Sequence, residues 1–493
     1  MKGLILIIIT LQAVSFSYSQ DSVSYCFYGT SGDERAIKLF KDENGLKLFG
    51  SSGGYQGQNS DILIIEAKAE GLEPNSFQNY GGWTLEQLVD VVWDTTAGQY
   101  VALSQFYNGY SSFDYDLRLD VFSVENELIQ SSIIELNGNQ RPISIDSRNG
   151  LIYVLFADEL REGSYVLILN FELTQIDEFE LSEDFIPSDI LVHNELLLVS
   201  GTDQNELDSA NGVILKMNLA GNLIAKWSFG GISQDSLISI MPKSDTTFLA
   251  IGASKSFNLL EDFDAWIFEF SVSGNLKWNR HYGYNIGSNF QRDDIGSDAH
   301  VFDDGRILFG VTTSTFGSGE EDFQVFSMND SVEYLNAGSF GFAAGDFLED
   351  ILVIDDSSIY LFGTSSSRGA GQDDYLLVEL NESLNSTPVK LKEFTDTNIV
   401  FDALGRNELN TRKLPFSISE TAAQYSLYFH SDKSFEICVT NSSGNIIYRD
   451  WHAGGLRSHS IQKSKLSSSG LLIFSLKGAY SEEIYSVKRV YVK

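Results

Sequence analysis

Between Asp235 and Gly283 the chain writes two short apolar runs, Leu237–Met241 and Phe248–Gly252, followed by a polar loop. An acid, Asp264, then opens a third run, "DAWIFEF", and a fourth run carrying Trp278 ends on the pair Tyr282-Gly283. Short runs rich in aromatic and β-branched side chains, bounded by Gly, Asp and Ser, predict β-strands. No apolar face of helical period extends beyond three turns, so the pattern predicts an all-β protein.

The four-run unit recurs at a fixed spacing. Asp33 precedes Gly50 by 17 residues, and the same interval separates Asp184 from Gly201, Asp235 from Gly252, Asp293 from Gly310 and Asp346 from Gly363. Weaker copies pair Asn139 with Phe156 and Gln87 with Ser104, which makes seven units of 45–58 residues. Third runs open on Asp61, Asp116, Asp264, Asp322 and Asp374, with Ser164 and Asn211 in the third and fourth units. Fourth runs end on Tyr80-Gly81, Phe229-Gly230, Tyr282-Gly283 and Phe340-Gly341. Four strands in such a unit cannot bury both apolar faces alone, so the copies must stack on one another. Seven of them predict a seven-bladed β-propeller over residues 24–394. Two segments compete for the strand that closes the ring: "SYCFYG" (Ser24–Gly29), which has the aromatic-Gly ending yet precedes blade one, and "TPVKLKEF" (Thr387–Phe394). The "Gly-Gly…Asp…Gly…Ser…Asp" plan, seen as Gly230-Gly231, Asp235, Gly252, Ser254 and Asp264, resembles the secreted bacterial β-propeller repeat proteins. That resemblance implies a fold and leaves function open.

Residues 395–415 are polar and aperiodic and read as a linker. Beyond it, "YSLYF", "FEICVTN", "NIIYRD", "LLIFSLKG" and "YSVKRVYVK" predict a small C-terminal β-sandwich over 416–493. "NSSGNIIYR" (Asn441–Arg449), "LSSSGLLIFSLKG" (Leu466–Gly478) and "KRVYVK" (Lys488–Lys493) resemble the C-terminal sorting domain of the type IX secretion system of Bacteroidetes-type bacteria. Gly444, Gly470, Lys488 and Arg489 stand where that family has a turn Gly, a Gly-initiated apolar strand and a basic final strand. The family's Pro-Asn-Pro opening is reduced here to "KLPFSIS" with Pro415. The resemblance implies recognition by the type IX machinery, passage through the periplasm, and a destination outside the cell or on its outer-membrane surface.

The start of the chain agrees with that route. Lys2, an apolar run from Leu4 to Leu11, and Ser17 and Ser19 before Gln20 have the plan of a secretory signal peptide over 1–19. That run is too short to span a bilayer, and no other segment reaches 18 apolar residues, so no transmembrane anchor is expected. Cys26 and Cys438 are too few to staple the fold and are read as two separate thiols. The net charge is −35; residues 411–493 carry +5, which leaves −40 on residues 1–410. A body so acidic repels phosphates, so nucleic acid is not an expected partner. A monomer is expected.

Candidate chemistry centres on the repeated acids. Asp33, Asp184, Asp235, Asp293 and Asp346 lie just before strands that should line the central channel and could ring its mouth. The alternative is that each caps the turn entering its strand. The acidic loops Glu261–Asp264, Gly319–Asp322 and Gly371–Asp374 offer oxygen ligands for Ca²⁺ but lack the spacing of an established calcium loop, so no cofactor is expected. Tyr107, Tyr110, Phe113 and Tyr115 in "FYNGYSSFDY" could form an aromatic binding surface or pack between blades. The histidines show no metal spacing, and the box Ser-x-Asp-x-Gly-x-x-Trp is absent. The sequence therefore favours a binding or adhesion scaffold for an extracellular glycan or protein over an enzyme, with a carbohydrate-active hydrolase or lyase as the alternative.

Overall fold

The computed structural model describes residues 23–395, apart from 55–59, 82–83, 108–113, 137, 182–184, 204–209, 258–261, 284–291, 356–357, 382 and 385–388, together with seven strands between 416 and 491. Seven sheets follow one another along the chain, antiparallel except for one strand pair in the seventh. The first spans Glu34–Tyr80, and the next five span Leu85–Ile134, Gln140–Glu180, Phe185–Phe229, Asp235–Tyr282 and Asp294–Phe340. The seventh holds Asp346–Asp355, Ser358–Ser365 and Asp374–Leu380 with two strands from the ends of the propeller. Within each blade the first strand lies innermost, and the first strands touch one another in succession around the axis. The chain is a seven-bladed β-propeller.

Both candidate closing segments are used. Val23–Gly29 pairs antiparallel with Asp374–Leu380 as the fourth strand, Phe27 opposite Leu376. Val389–Thr395 then pairs parallel with Val23–Gly29 as a fifth, Tyr25 opposite Leu391. This double closure explains a difference in burial. Every residue of Val23–Gly29 is buried, whereas Leu128, Leu223, Leu276 and Tyr334 on other outermost strands are 41–61% exposed.

The apolar core lies between blades. Each of the seven junctions has its own cluster, such as Leu198, Ile214, Leu237, Phe248, Trp266 and Phe270 between blades four and five. Trp227 and Trp278, from fourth strands, join these clusters at their edges. Side chains pointing alternately to the two faces of a sheet thus meet one neighbouring blade on each side.

A β-bulge interrupts every innermost strand at the same place, at Ala36/Lys38, Leu88/Asp90, Pro142/Ser144, Pro187/Asp189, Leu237/Ser239, Gly296/Asp298 and Leu348/Asp350. The bulge accounts for the repeated Gly of the second strand. A Cβ on Gly50, Gly201, Gly252 or Gly363 would fall 2.0–2.1 Å from a carbonyl oxygen of the innermost strand. Strand pairing also corrects the frame read from the constant spacing of 17. Glu34 opposite Ser52, Asp235 opposite Ser254, Asp294 opposite Thr313 and Asp346 opposite Ser365 are equivalent, so blades one and six open on Glu34 and Asp294. Blades five and seven carry a second bulge that blade one lacks, which lengthens their hairpins by one residue.

The C-terminal strands pair as two small sheets. One holds Phe416–Glu420, Gln424–Phe429 and Ser458–Gln462; the other holds Ile446–His452, Phe435–Asn441, Leu471–Gly478 and Ile484–Tyr491 in that order.

Candidate functional site at the channel mouth

First and third strands both start on one face of the propeller, so their opening acids meet at each blade junction. The backbone N–H of an opening residue donates to the carbonyl just before the third strand of the preceding blade. Glu34 to Asp373, Glu86 to Ser60, Asp235 to Ala210, Asp294 to Phe263 and Asp346 to Glu321 are 2.7–2.9 Å. This sets Asp374 beside Glu34, Asp61 beside Glu86, and Asp322 beside Asp346. The aromatic-Gly endings make room for these carboxylates: a Cβ on Gly29, Gly81, Gly283 or Gly341 would lie 1.7–2.1 Å from Asp374, Asp61, Asp264 or Asp322. Burial pushes Glu34 up to about 7 although Ser52 and Thr30 donate to it, and Asp374 adds to the rise. Burial likewise pushes Glu86 up to about 7 and Asp294 and Asp322 up to about 6.

Deeper along the axis, the residues after the bulges form a second ring: Lys38, Asp90, Ser144, Asp189, Ser239, Asp298 and Asp350. Hydrogen bonds carry it from blade to blade. Ser144 donates to Asp90 at 3.0 Å and to Asp189 at 2.8 Å in its alternative contact, and Ser239 donates to Asp189 at 3.0 Å. Lys38 Nζ reaches Asp350 at 2.9 Å. All four acids of the ring also accept the backbone N–H of the residue after the ring position in the next blade, Asp90 from Ile145, Asp189 from Ile240, Asp298 from Ile351 and Asp350 from Leu39, at 2.7–3.0 Å. Burial pushes Asp298 up to about 7 and Asp189 up to about 6. Burial also disfavours the Lys38 ammonium, but Asp350, Asp298 and Asp90 outweigh it and hold Lys38 charged.

Above this ring, where blades seven, one and two meet, a cavity of about 440 Å³ opens. Its lining includes Asp33, Glu34, Arg35, Gln87, Phe347 and Glu349. Phe347 is 39% exposed. Glu349 is the extra residue of the bulge in blade seven; burial pushes it up to about 7, against the pull of Arg35.

The predicted acids are distributed unevenly over this frame. Asp33 is exposed in the cavity wall. Asp235 and Asp346 are fully buried and cap turns, accepting from Gly231 and Ser256 and from Phe342 and Ser367. Asp293, half-buried, accepts from Phe263 N at 3.0 Å. Asp184 lies outside the described residues, as do Tyr110, Phe113, Gly444 and Gly470; the side chains of Lys488 and Arg489 do so too. Tyr107 and Tyr115 face each other across a hairpin, ring centroids 5.0 Å apart. In the acidic loops, Asp322 accepts from Ser318 and Gly319, and Asp374 from Gly371. Among the described residues no group of three or more His, Cys, Asp or Glu is arranged to hold a metal.

The sequence reading passed over Lys38, Glu349 and Asp350. Their signal is a polar residue four places after each blade's opening position, at Lys38, Asp90, Ser144, Asp189, Ser239, Asp298 and Asp350. It also passed over the Gly-x-Ser-x-Gly string Gly50–Gly54. There Ser52 ends a strand, is fully buried and donates to Glu34, which gives it no nucleophile's exposure.

No protein-family model matches the sequence, and no curated protein does. Among solved structures the chain is similar to Drosophila Plexin A in complex with Semaphorin 1b, with a TM-score of 0.44 and 9% identity over 73% of this chain and 87% of that one. It is also similar to the β-propeller domain of the Trilobed protease from Pyrococcus furiosus, with a TM-score of 0.41 and 12% identity over 68% of this chain and 93% of that one. Likenesses at this level carry no argument about ligand or activity, and the fold stands on the chain's own strand pairing.

Proposed function

We propose that this chain is an exported β-propeller that binds an extracellular glycan or protein through its channel-mouth face, as a surface or secreted scaffold. The observation that carries the reading is the cavity between blades seven, one and two: a concave site of about 440 Å³ with an exposed aromatic ring and several convergent polar groups. That size falls within the range of small-ligand sites, and the lining is mostly polar, with Leu85 and Phe347 as its apolar part. The leader-like start and the 416–493 segment support delivery by a type IX-like secretion route, with the C-terminal unit as a sorting domain folded as a sandwich. Array screening of the purified protein against polysaccharides and proteins, with and without EDTA, tests the binding reading. Retention without product supports it, and loss of retention in EDTA would bring the acidic loops back as calcium ligands. One observation favours the alternative, a secreted carbohydrate-active hydrolase or lyase: Glu349, pushed up to about 7, lines the cavity and could act as an acid near neutrality. Reducing ends released during the screen would establish that alternative.

A further inference from the structure

The cavity wall is asymmetric in a way that the sevenfold repeat does not require. The residue after the opening position is Arg35, Gln87 and Arg141 in blades one to three, and Ile186, Ser236, Ile295 and Phe347 in blades four to seven. The cavity sits where these two arcs meet. Its lining therefore combines Phe347, 39% exposed, with the planar, multiply hydrogen-bonding side chains Arg35, Gln87 and Glu349. An aromatic face offers apolar contact to a ring with C–H groups on one side, and planar amide, carboxyl and guanidinium ends can each engage two adjacent hydroxyls. A ligand that presents an apolar face and a hydroxylated edge together satisfies both walls.

Resting on the binding reading above, we infer that the channel mouth takes a neutral hexose residue of a polysaccharide, stacked on Phe347 and hydrogen-bonded through adjacent hydroxyls to Arg35, Gln87 and Glu349. Uronic or sulfated sugars are rejected, because the wall also carries Asp33, Glu34 and Asp373 and the propeller as a whole is strongly acidic. Glu349, pushed up to about 7, is both donor and acceptor near neutral pH, which suits hydroxyl partners.

The test passes the full-length purified protein over immobilised neutral oligosaccharides (cello-, laminari-, manno- and N-acetylated chito-series), alginate, a sulfated galactan and oligolysine. Retention is expected on at least one neutral series and on neither polyanion. Phe347→Ala should weaken that retention at least tenfold while Phe347→Trp keeps it, and Glu349→Gln should weaken it severalfold. Unchanged melting temperatures show that both positions were altered without unfolding. Neutral-glycan retention indifferent to Phe347→Ala and Glu349→Gln would place binding elsewhere and overturn the inference. Retention on oligolysine alone, or on the polyanions, would overturn the ligand class while leaving the scaffold reading intact. Retention on nothing would overturn the inference, and the scaffold reading would then rest on the protein arm of the array screen, where an equally empty result would overturn it too.

Discussion

Lys38 is the one cation in the ring of residues that follow the bulges. It neutralises Asp350 directly and faces Asp298 and Asp90, while Asp350 is 95% shielded from solvent at its side chain, being 5% exposed. Lys38→Met keeps most of the aliphatic bulk and deletes the charge. It should cost about 2 kcal/mol, between the small worth of an exposed pair and the larger loss when a buried partner is stranded. Thermal melts at pH 7 and pH 5 check this. The deficit should shrink at pH 5, because Asp298, already pushed up to about 7, takes up a proton there. An equal deficit at both values would mean that Lys38 acts by packing alone. The repeated Asp was legible in sequence but its role was less so. Asp235 and Asp33 occupy the same place in a frame of 17 residues, yet one is a buried cap and the other lines the cavity, because a bulge shifts the hairpin by one residue. Bulges leave no fixed mark in composition, so a single sequence gives the period and not the register.

Strands and their order were far more legible than sites, since alternation and turn residues are local signals. The closure of blade seven shows the limit: the sequence offered two strands for one place, and the fold uses both by letting the second pair parallel to the first. Parallel pairing with a strand hundreds of residues away has no local signature. Val389–Thr395 covers the edge of Val23–Gly29 and leaves that strand wholly buried, unlike other outermost strands. An uncovered edge of this kind is an open template for another strand. Truncation after Leu384 should therefore leave a folded propeller whose Val23–Gly29 amides exchange at least tenfold faster. It should also lower the melting temperature and raise the tendency to aggregate. Hydrogen exchange read by mass spectrometry on the peptide covering Val23–Gly29 checks this, and unchanged protection there would mean that the fifth strand adds nothing to closure.

At the scale of the whole molecule, the two acidic tiers make the propeller a proton-binding fold. Glu34, Glu86, Asp146, Asp298 and Glu349 are pushed up to about 7, and Asp116, Asp189, Asp294 and Asp322 up to about 6, in each case chiefly by burial. In the unfolded chain such groups titrate near about 4. The folded form therefore holds more protons between roughly pH 4 and 7, and stability must fall as pH rises through that window, then level off. Two effects oppose this on the acid side. His281 and His300 are held below their ordinary value by burial, so stability is lost as pH falls through about 6.5. Asp158 and Glu269, held low by their Arg and Lys partners despite burial, lose their contribution only below about pH 4. Nine raised carboxyls outweigh two histidines throughout that window, so the maximum lies at its acid end, about pH 4, and calorimetric melts should give a melting temperature that declines from pH 5 to pH 7 and levels off by pH 8. Surface repulsion in a chain of net charge −35 would tilt the curve the same way, but salt separates the two causes. At 1 M ionic strength the screening length is about 3 Å, which removes repulsion between exposed charges and leaves buried carboxyls largely unscreened. The decline should persist in 1 M NaCl if the junction and ring acids cause it, and a curve flattened by salt would assign it to the surface instead.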